Sequence, residues 1–315
     1  MKQYRFVILG NIRDYYSYFN YGVLEGAIRN GAAKTIELQN RKSAEIKTEI
    51  QFFKPHFIVC HCIFGPIRQD ILNMLRGLRK TGIRVIYHMG DARVIPRYTK
   101  PITDFVDLAL VNNDMRPEFE RYKIPTIHPY MCLYQKELAN YDKRYECNMA
   151  FTGGLDNSTH HQQRKKFING LKTINIKTFP TKETGNTRFQ TAELSSTAKS
   201  VLGVQMGQNI KGYQDVRPFQ YIGAGALYFH DKHPSIDMFF EDKKHYISYK
   251  TNDAPDLVNK FNHYYSNEKA AMKIRQDGFD FCQKHHSTKQ RVENIIRYFE
   301  GKQLLPILKN DILSR

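Results

Sequence analysis

The chain has 315 residues, 41% hydrophobic and 25% charged, enough to build two domains with cores of their own. No apolar run approaches the roughly 20 residues that cross a bilayer, the apolar stretch at the N-terminus is too short for a secretory leader, and the five scattered cysteines argue against a disulfide framework. These features predict a cytoplasmic protein, and the net charge of +17 points to a polyanionic partner such as nucleic acid, an anionic membrane surface or a phosphorylated substrate, although a lysine-rich surface that only keeps the chain in solution would carry the same charge.

The first 135 residues read as repeated strand–helix units. Tyr4–Leu9 reads as a strand closed by Gly10-Asn11, and Tyr15–Arg29 as a helix ending at Asn30-Gly31. A short strand at Thr35–Leu38, a helix over Ser43–Phe53 and a buried strand at Phe57–Cys62 follow. A helix over Pro66–Lys80, strands at Arg84–Tyr87 and Leu108–Val111, a helix at Asp114–Tyr122 and a strand at Thr126–Pro129 complete this half. Strands that are apolar without alternation, separated by helices, predict a parallel sheet covered on both faces. The polar segment 136–147 reads as a linker.

The pattern then restarts. Asn148–Thr152 is a strand ending in Gly153-Gly154, His160–Leu171 a helix, Ile174–Thr178 a strand and Phe189–Thr197 a helix. Val201–Val204 runs into a loop rich in Gly, Asn and Gln. Asp215, a natural N-cap with Pro218 in the first turn, then opens a short helix before the apolar run Ala226–Phe229. Such a strand, glycine loop, helix and strand either form an anion site or an ordinary crossover. A strand at Tyr246–Ser248 and helices over Ala254–Tyr265, Glu268–His285 and Thr288–Phe299 follow. The expected class is α/β with two tandem Rossmann-like domains, 1–135 and 148–299, and a helical tail, 300–315, packing back on the N-terminal domain.

Metal sites find little support. Cys60-His61-Cys62 lies in a buried apolar run without a second ligand pair, and the pairs His160-His161 and His285-His286 diverge on helices. There is no Asp-x-Asp element, no G-x-S-x-G elbow, and neither the Gly10 nor the Gly153 loop forms a complete dinucleotide or P-loop motif.

Arg217-Pro-Phe219-Gln220-Tyr-Ile-Gly223-Ala-Gly225 sits where a signature of the form R-x-F-E-x-x-A-x-G is expected, followed by Phe239-Phe240, His245–Ser248, Arg275-Gln-Asp-Gly278 and His285-His286-Ser287. In this order and spacing the C-terminal half resembles the glycosyl transferase group 1 domain of the spore-maturation (CgeB-like) glycosyltransferases. The N-terminal half is similar only in outline, through Val85–Asp91 and Asp107–Asn112. The resemblance implies a GT-B fold with two domains facing across a cleft. It also implies a metal-independent transferase that moves a sugar from a nucleotide-diphosphate sugar to a hydroxyl, with no cofactor beyond that donor.

Position by position, the resemblance assigns Asn209, Lys211, Gly212 and Tyr213 to the donor's sugar and diphosphate, and Gly153-Gly154 to the space beside the nucleotide. Arg217 either reaches phosphate or braces its helix. The family's ribose-binding Glu is Gln220 here, an amide that bonds hydroxyls less strongly than a carboxylate. Gly10, Asn11, Arg13 and Asp14 would line the cleft from the N-terminal side, and His88 and Asp91, just past a strand end, are the candidate bases toward an acceptor hydroxyl; a core or capping role for His88 is equally open. The acceptor implied by charge is a hydroxylated base in DNA or a glycan or lipid at an anionic envelope. The tract Arg13–Phe19 offers aromatic rings for stacking, although such rings also suit a helix packed on a sheet. A scaffold that binds nucleotide or nucleic acid without turnover is the competing class.

Overall fold

The computed structural model describes residues 3–10, 17–38, 41–61, 68–89, 100–112, 114–155, 159–179, 191–205 and 214–313. They form two compact units. Unit 1 holds the described residues up to Tyr130, Gln214 and Thr288–Leu305; unit 2 holds those of Met131–Lys211, Asp215–Ser287 and Pro306–Arg315.

Unit 1 is built on six parallel strands: β1 (Tyr4–Leu9), β2 (Gly31–Ile36), β3 (Phe57–His61), β4 (Arg84–Met89), β5 (Leu108–Val111) and β6 (Thr126–Ile127), in the order β2-β1-β3-β4-β5-β6. The unbroken apolar strands are buried on both faces, as in β5, where all four residues of LALV are inaccessible. One face packs Val7, Ile58, Val85 and Ala109 against Ile46 and Ile50 of the Ser43–Phe53 helix and Ile71 and Leu75 of the Gln69–Arg79 helix. Each such side chain contributes roughly 2 kcal/mol by leaving water. On the other face Phe57 lies between Phe6 and Phe299, with ring centroids 4.8 and 5.1 Å apart. The Thr288–Phe299 helix also meets the Ser17–Arg29 helix. Gly26 permits that approach, because a Cβ there would come within 2.4 Å of the Thr288 carbonyl oxygen.

Unit 2 repeats the design with β7 (Met149–Thr152), β8 (Ile176–Phe179), β9 (Val201–Gly203), β10 (Tyr228–Asp231) and β11 (Ile247–Tyr249), parallel in the order β11-β10-β9-β7-β8. Phe151, Leu202, Phe229 and Ile247 pack with Ile168, Leu257, Phe261 and Ile274 from the covering helices. No helix among the described residues is long and apolar enough to cross a membrane.

Several departures from the expected elements bear on the organisation of the two units. β2 begins at Gly31, not Thr35, because Gly31 is a close-approach residue: a Cβ would lie 2.0 Å from the Tyr4 carbonyl oxygen of the neighbouring strand. The 136–147 segment is a packed part of unit 2, with Tyr145 fully buried against Phe179 and the Asp142 N–H donating to Thr197 Oγ1 at 2.7 Å. The segment grouped with unit 1 is Thr288–Leu305, led by the buried Val292, Ile295 and Ile296, whereas Lys309 donates its N–H to Met238 and ties the end of the chain to unit 2. Among the described residues the tail's helix spans Lys309–Leu313.

Candidate functional site

Each sheet has a point where successive connections leave in opposite directions, between β1 and β3 in unit 1 and between β7 and β9 in unit 2. In open parallel sheets the carboxyl ends of the strands beside such a point are the usual place for a ligand. In unit 2 this end carries Thr152-Gly153-Gly154 after β7 and Val204-Gln205 after β9.

Side chains from three directions hold the end of β7. Arg164, on the Thr159–Gly170 helix, donates Nη1 to the Gly154 carbonyl at 3.1 Å and lies over the Phe151 ring at 5.9 Å. Arg217, at the start of the Arg217–Gly223 helix, donates Nη1 to the Thr152 carbonyl at 3.4 Å and Nε to Asp215 Oδ2 at 2.9 Å. One turn on, the Tyr221 hydroxyl forms a short hydrogen bond with Thr152 Oγ1. The two glycines admit these groups: a Cβ on Gly153 would sit 3.1 Å from Arg217 Nη1, and one on Gly154 2.5 Å from the His161 ring. After β9, the Gln205 N–H is fixed by buried Asp231, which accepts it at 2.8 Å.

Asp215 sets the local charge. Its Oδ1 accepts the Arg217 backbone N–H at 3.0 Å, but the N-cap of the Arg217–Gly223 helix is Val216, not Asp215, which instead anchors Arg217 from one residue ahead of the cap. Burial raises its carboxyl. The Arg217 guanidinium, with His230 and Arg164 beyond it, outweighs that and holds it below the usual carboxylate range. The end of β7 thus carries two guanidinium groups and one carboxylate, a net positive charge beside glycine backbone.

The other expected residues fall as follows. Gln220 lies one turn from Arg217 on the same helix, half-buried, and among the described residues its amide has no hydrogen-bond partner. Asn209, Lys211, Gly212, Tyr213, Asn11, Arg13, Asp14 and Asp91 lie outside the described residues. Gly10 is buried at the end of β1, its N–H donating to Ile36 at 3.2 Å. His88 is not past a strand end: β4 runs on to Met89, which leaves His88 inside the sheet beside His61, 1% exposed. The structure therefore gathers Gly153, Gly154, Arg217 and Gln220 in one place and sets His88 in the interior of unit 1. Sequence reasoning gave no site role to Arg164, Thr152, His161 or Tyr221. The Thr159–Gly170 helix, which carries Arg164 and His161, has no motif that marks the face turned to β7. Among the described residues no three His, Cys, Asp or Glu side chains group as a metal site.

Residues 178–297 match the sequence model of a family described as glycosyl transferase-like. No curated protein matches the chain. Among solved structures, a glycosyltransferase from Rickettsia africae ESF-5 is similar over 96% of this chain and 99% of that one, with a TM-score of 0.62 and 10% identity. Anabaena Alr3699/HepE, solved in complex with UDP-glucose, is similar over 95% and 100%, with a TM-score of 0.58 and 8% identity. The DNA modifying enzyme beta-glucosyltransferase is similar over 93% and 98%, with a TM-score of 0.56 and 12% identity. At such identities the likeness is one of fold, and the fold is that of the GT-B glycosyltransferases.

Proposed function

We propose that this chain is a glycosyltransferase that moves a sugar from a nucleotide-diphosphate sugar to a hydroxyl acceptor, with the donor at the β7/β9 end of unit 2. The observation that carries the reading is the pair of guanidinium groups, Arg164 and Arg217, fixed beside Gly153-Gly154 at that strand end. A departing nucleoside diphosphate gathers negative charge, and preorganised cations and N–H groups stabilise it without reorganising at the moment of reaction. The family match over residues 178–297 covers Arg217, Gln220 and the segments around them, and one fold neighbour was solved with UDP-glucose. In this reading Gln220 meets the ribose hydroxyls, Lys211 and the backbone around Gly212 join the diphosphate, and Asn209 and Tyr213 meet the sugar. Asp91 is the base toward the acceptor, in preference to His88, whose burial inside β4 removes it from incoming hydroxyls. The chemistry runs without a metal, and the subtype is the spore-maturation one.

The acceptor we propose is a hydroxyl presented by an anionic partner, as the net charge of +17 favours. Hydroxylated bases in DNA are one such acceptor, in keeping with the DNA-modifying fold neighbour; an envelope glycan or lipid is the other. Gln220 in place of a carboxylate favours the second reading, a scaffold that binds nucleotide and transfers nothing.

Calorimetric titration with a panel of nucleotide sugars, with chelator present, tests the donor site; one nucleotide sugar should bind, and Arg217→Ala should abolish the signal. Labelled-sugar transfer to hydroxymethylated DNA and to envelope glycans then identifies the acceptor. Binding without transfer to any acceptor would establish the binding scaffold instead, and absence of binding would remove the donor site.

A further inference from the structure

Among the described residues of unit 1, exposed cations gather at the end of the sheet where the strands begin. In a parallel sheet every segment that enters a strand does so at one edge. Here that edge carries Arg5 in β1, Lys54 before β3, Lys80 and Arg84 at the entry to β4, and Lys123 before β6, all exposed. They are joined by backbone. Arg5 Nε donates to the Lys54 carbonyl at 2.8 Å, the His56 N–H to Arg5 at 2.8 Å and the Arg84 N–H to His56 at 3.0 Å. A cavity of about 260 Å³ opens on the same edge between Arg76, Arg79, Lys80 and Arg84. Asp104 and Asp107 answer the arginines, at 2.7 Å from Arg76 and 3.1 Å from Arg79, but Lys54 and Lys80 have no ion-pair partner among the described residues.

The same edge bears the exposed large hydrophobic side chains of unit 1 found among the described residues. Phe52, 87% exposed, closes the helix that leads into β3, and Ile28, 56% exposed, closes the helix that leads into β2. The Lys54 backbone, left-handed at φ 52°, ends the Ser43–Phe53 helix with its N–H on Ile50, and Phe53 packs into the core while Phe52 points away from it. Phosphates of a nucleic-acid backbone are met by charged and hydrogen-bonding groups, and an exposed isoleucine adds nothing to those contacts. A lipid headgroup layer takes both kinds of group: apolar side chains enter the acyl boundary, and lysine stems lie along them with the ammonium in the headgroups.

We propose that the strand-entry edge of unit 1 docks on an anionic membrane surface, with Phe52 and Ile28 entering the interface and Lys54, Lys80 and Arg84 facing lipid phosphate. The docking is independent of sugar transfer and leaves the carboxyl ends of the same strands uncovered.

Co-sedimentation of the full chain with vesicles tests it. Phosphatidylcholine vesicles containing phosphatidylglycerol should pellet the protein at low ionic strength and release it at high ionic strength, and pure phosphatidylcholine should not pellet it. Lys80→Glu and Lys54→Glu should each weaken partitioning about fivefold or more. Phe52→Ser with Ile28→Ser should weaken it by a similar factor without lowering the melting temperature, since both side chains are exposed. The proposal is overturned if anionic vesicles never pellet the protein, or if the Phe52/Ile28 double variant pellets like the parent. It is overturned equally if the lysine variants lose affinity for duplex DNA while vesicles bind neither them nor the parent, which would make the edge a nucleic-acid face.

Discussion

The two sheets share one strand order over five strands, unit 1 adding a sixth, and differ in where the fixed charge of their described residues lies. In unit 2 the described cations Arg164 and Arg217 stand at the carboxyl end of β7, each bonded to backbone there. In unit 1 the described residues that close β1, β3, β4 and β5 (Leu9-Gly10, His61, Met89, Val111-Asn112) carry no fixed cation, while Lys54, Lys80 and Arg84 crowd the strand entries. The topology offers such a strand end to both sheets. Only the side chains on the elements around it decide whether it attracts a phosphate.

The most severe way to break this contrast is to remove the support under the unit 2 site. Phe219 is fully buried among the rings of Phe239, Phe240 and His286, at 5.1, 5.2 and 5.3 Å. Phe219→Ala should cost roughly 3–5 kcal/mol in urea unfolding, and donor binding should fall with it. Arg217→Ala comes next. It strips the partner from the Asp215 carboxyl, whose side chain is only 13% exposed, so about 3 kcal/mol of stability should be lost, and calorimetry should detect no donor. Arg217→Lys should restore part of the stability but little binding, because an ammonium cannot repeat the two-pronged contact with Asp215 and Thr152.

A third test uses pH. Burial, with Lys244 nearby, lowers the His245 imidazole to about 4 from an ordinary 6.5. Its Nδ1 accepts the Glu241 N–H at 3.2 Å, and its ring stacks on Phe281 at 4.1 Å, both suited to the neutral form. Between pH ~6.5 and ~4 the unfolded chain takes up a proton that the folded chain refuses, so stability should fall as pH falls through that window and level off below it. A His245→Gln protein should lose this slope in melting temperature against pH. Asp215 acts further into acid: its lowered folded value contributes stability above the unfolded value near ~3.9, which is lost as pH drops through the folded one. The two smallest effects sharpen the comparison directly. Gln220→Ala should weaken donor binding about fivefold, the worth of a single hydrogen bond near 1 kcal/mol, with stability unchanged. Lys80→Glu in unit 1 should leave donor affinity within about twofold, a surface change at a residue that makes no contact with Arg164, Arg217 or the two glycines.

The strands were legible because a strand buried on both faces must be apolar throughout, and no helix of comparable length reads that way. The exceptions are instructive. Asn30-Gly31 has the composition of a helix cap, and only the neighbouring strand shows that Gly31 is there to let Tyr4 come close. His88 looked like a residue beyond a strand because a polar side chain breaks an apolar run, yet β4 carries it inside. At the site, Arg217 and Gln220 were found through a motif, and Gly153-Gly154 through the strand they end. Arg164 and His161 escaped notice as site residues because THHQQRKKFING is polar on most of its circumference, so no hydrophobic stripe tells which side faces β7.

The grouping of Thr288–Leu305 with unit 1 bears on how the protein comes off the ribosome. Synthesis delivers the six strands of unit 1 first, then unit 2 as far as Ser287, and only afterwards the helix that covers Gly26, Phe57 and the hydroxyl of Tyr4, which donates to Glu300 at 2.6 Å. Until that helix emerges, one face of the first sheet has nothing to cover it along this line, so a nascent or truncated chain ending before residue 288 presents that apolar face to chaperones. An excised N-terminal unit needs the 288–305 segment fused back to it to be a complete folding body.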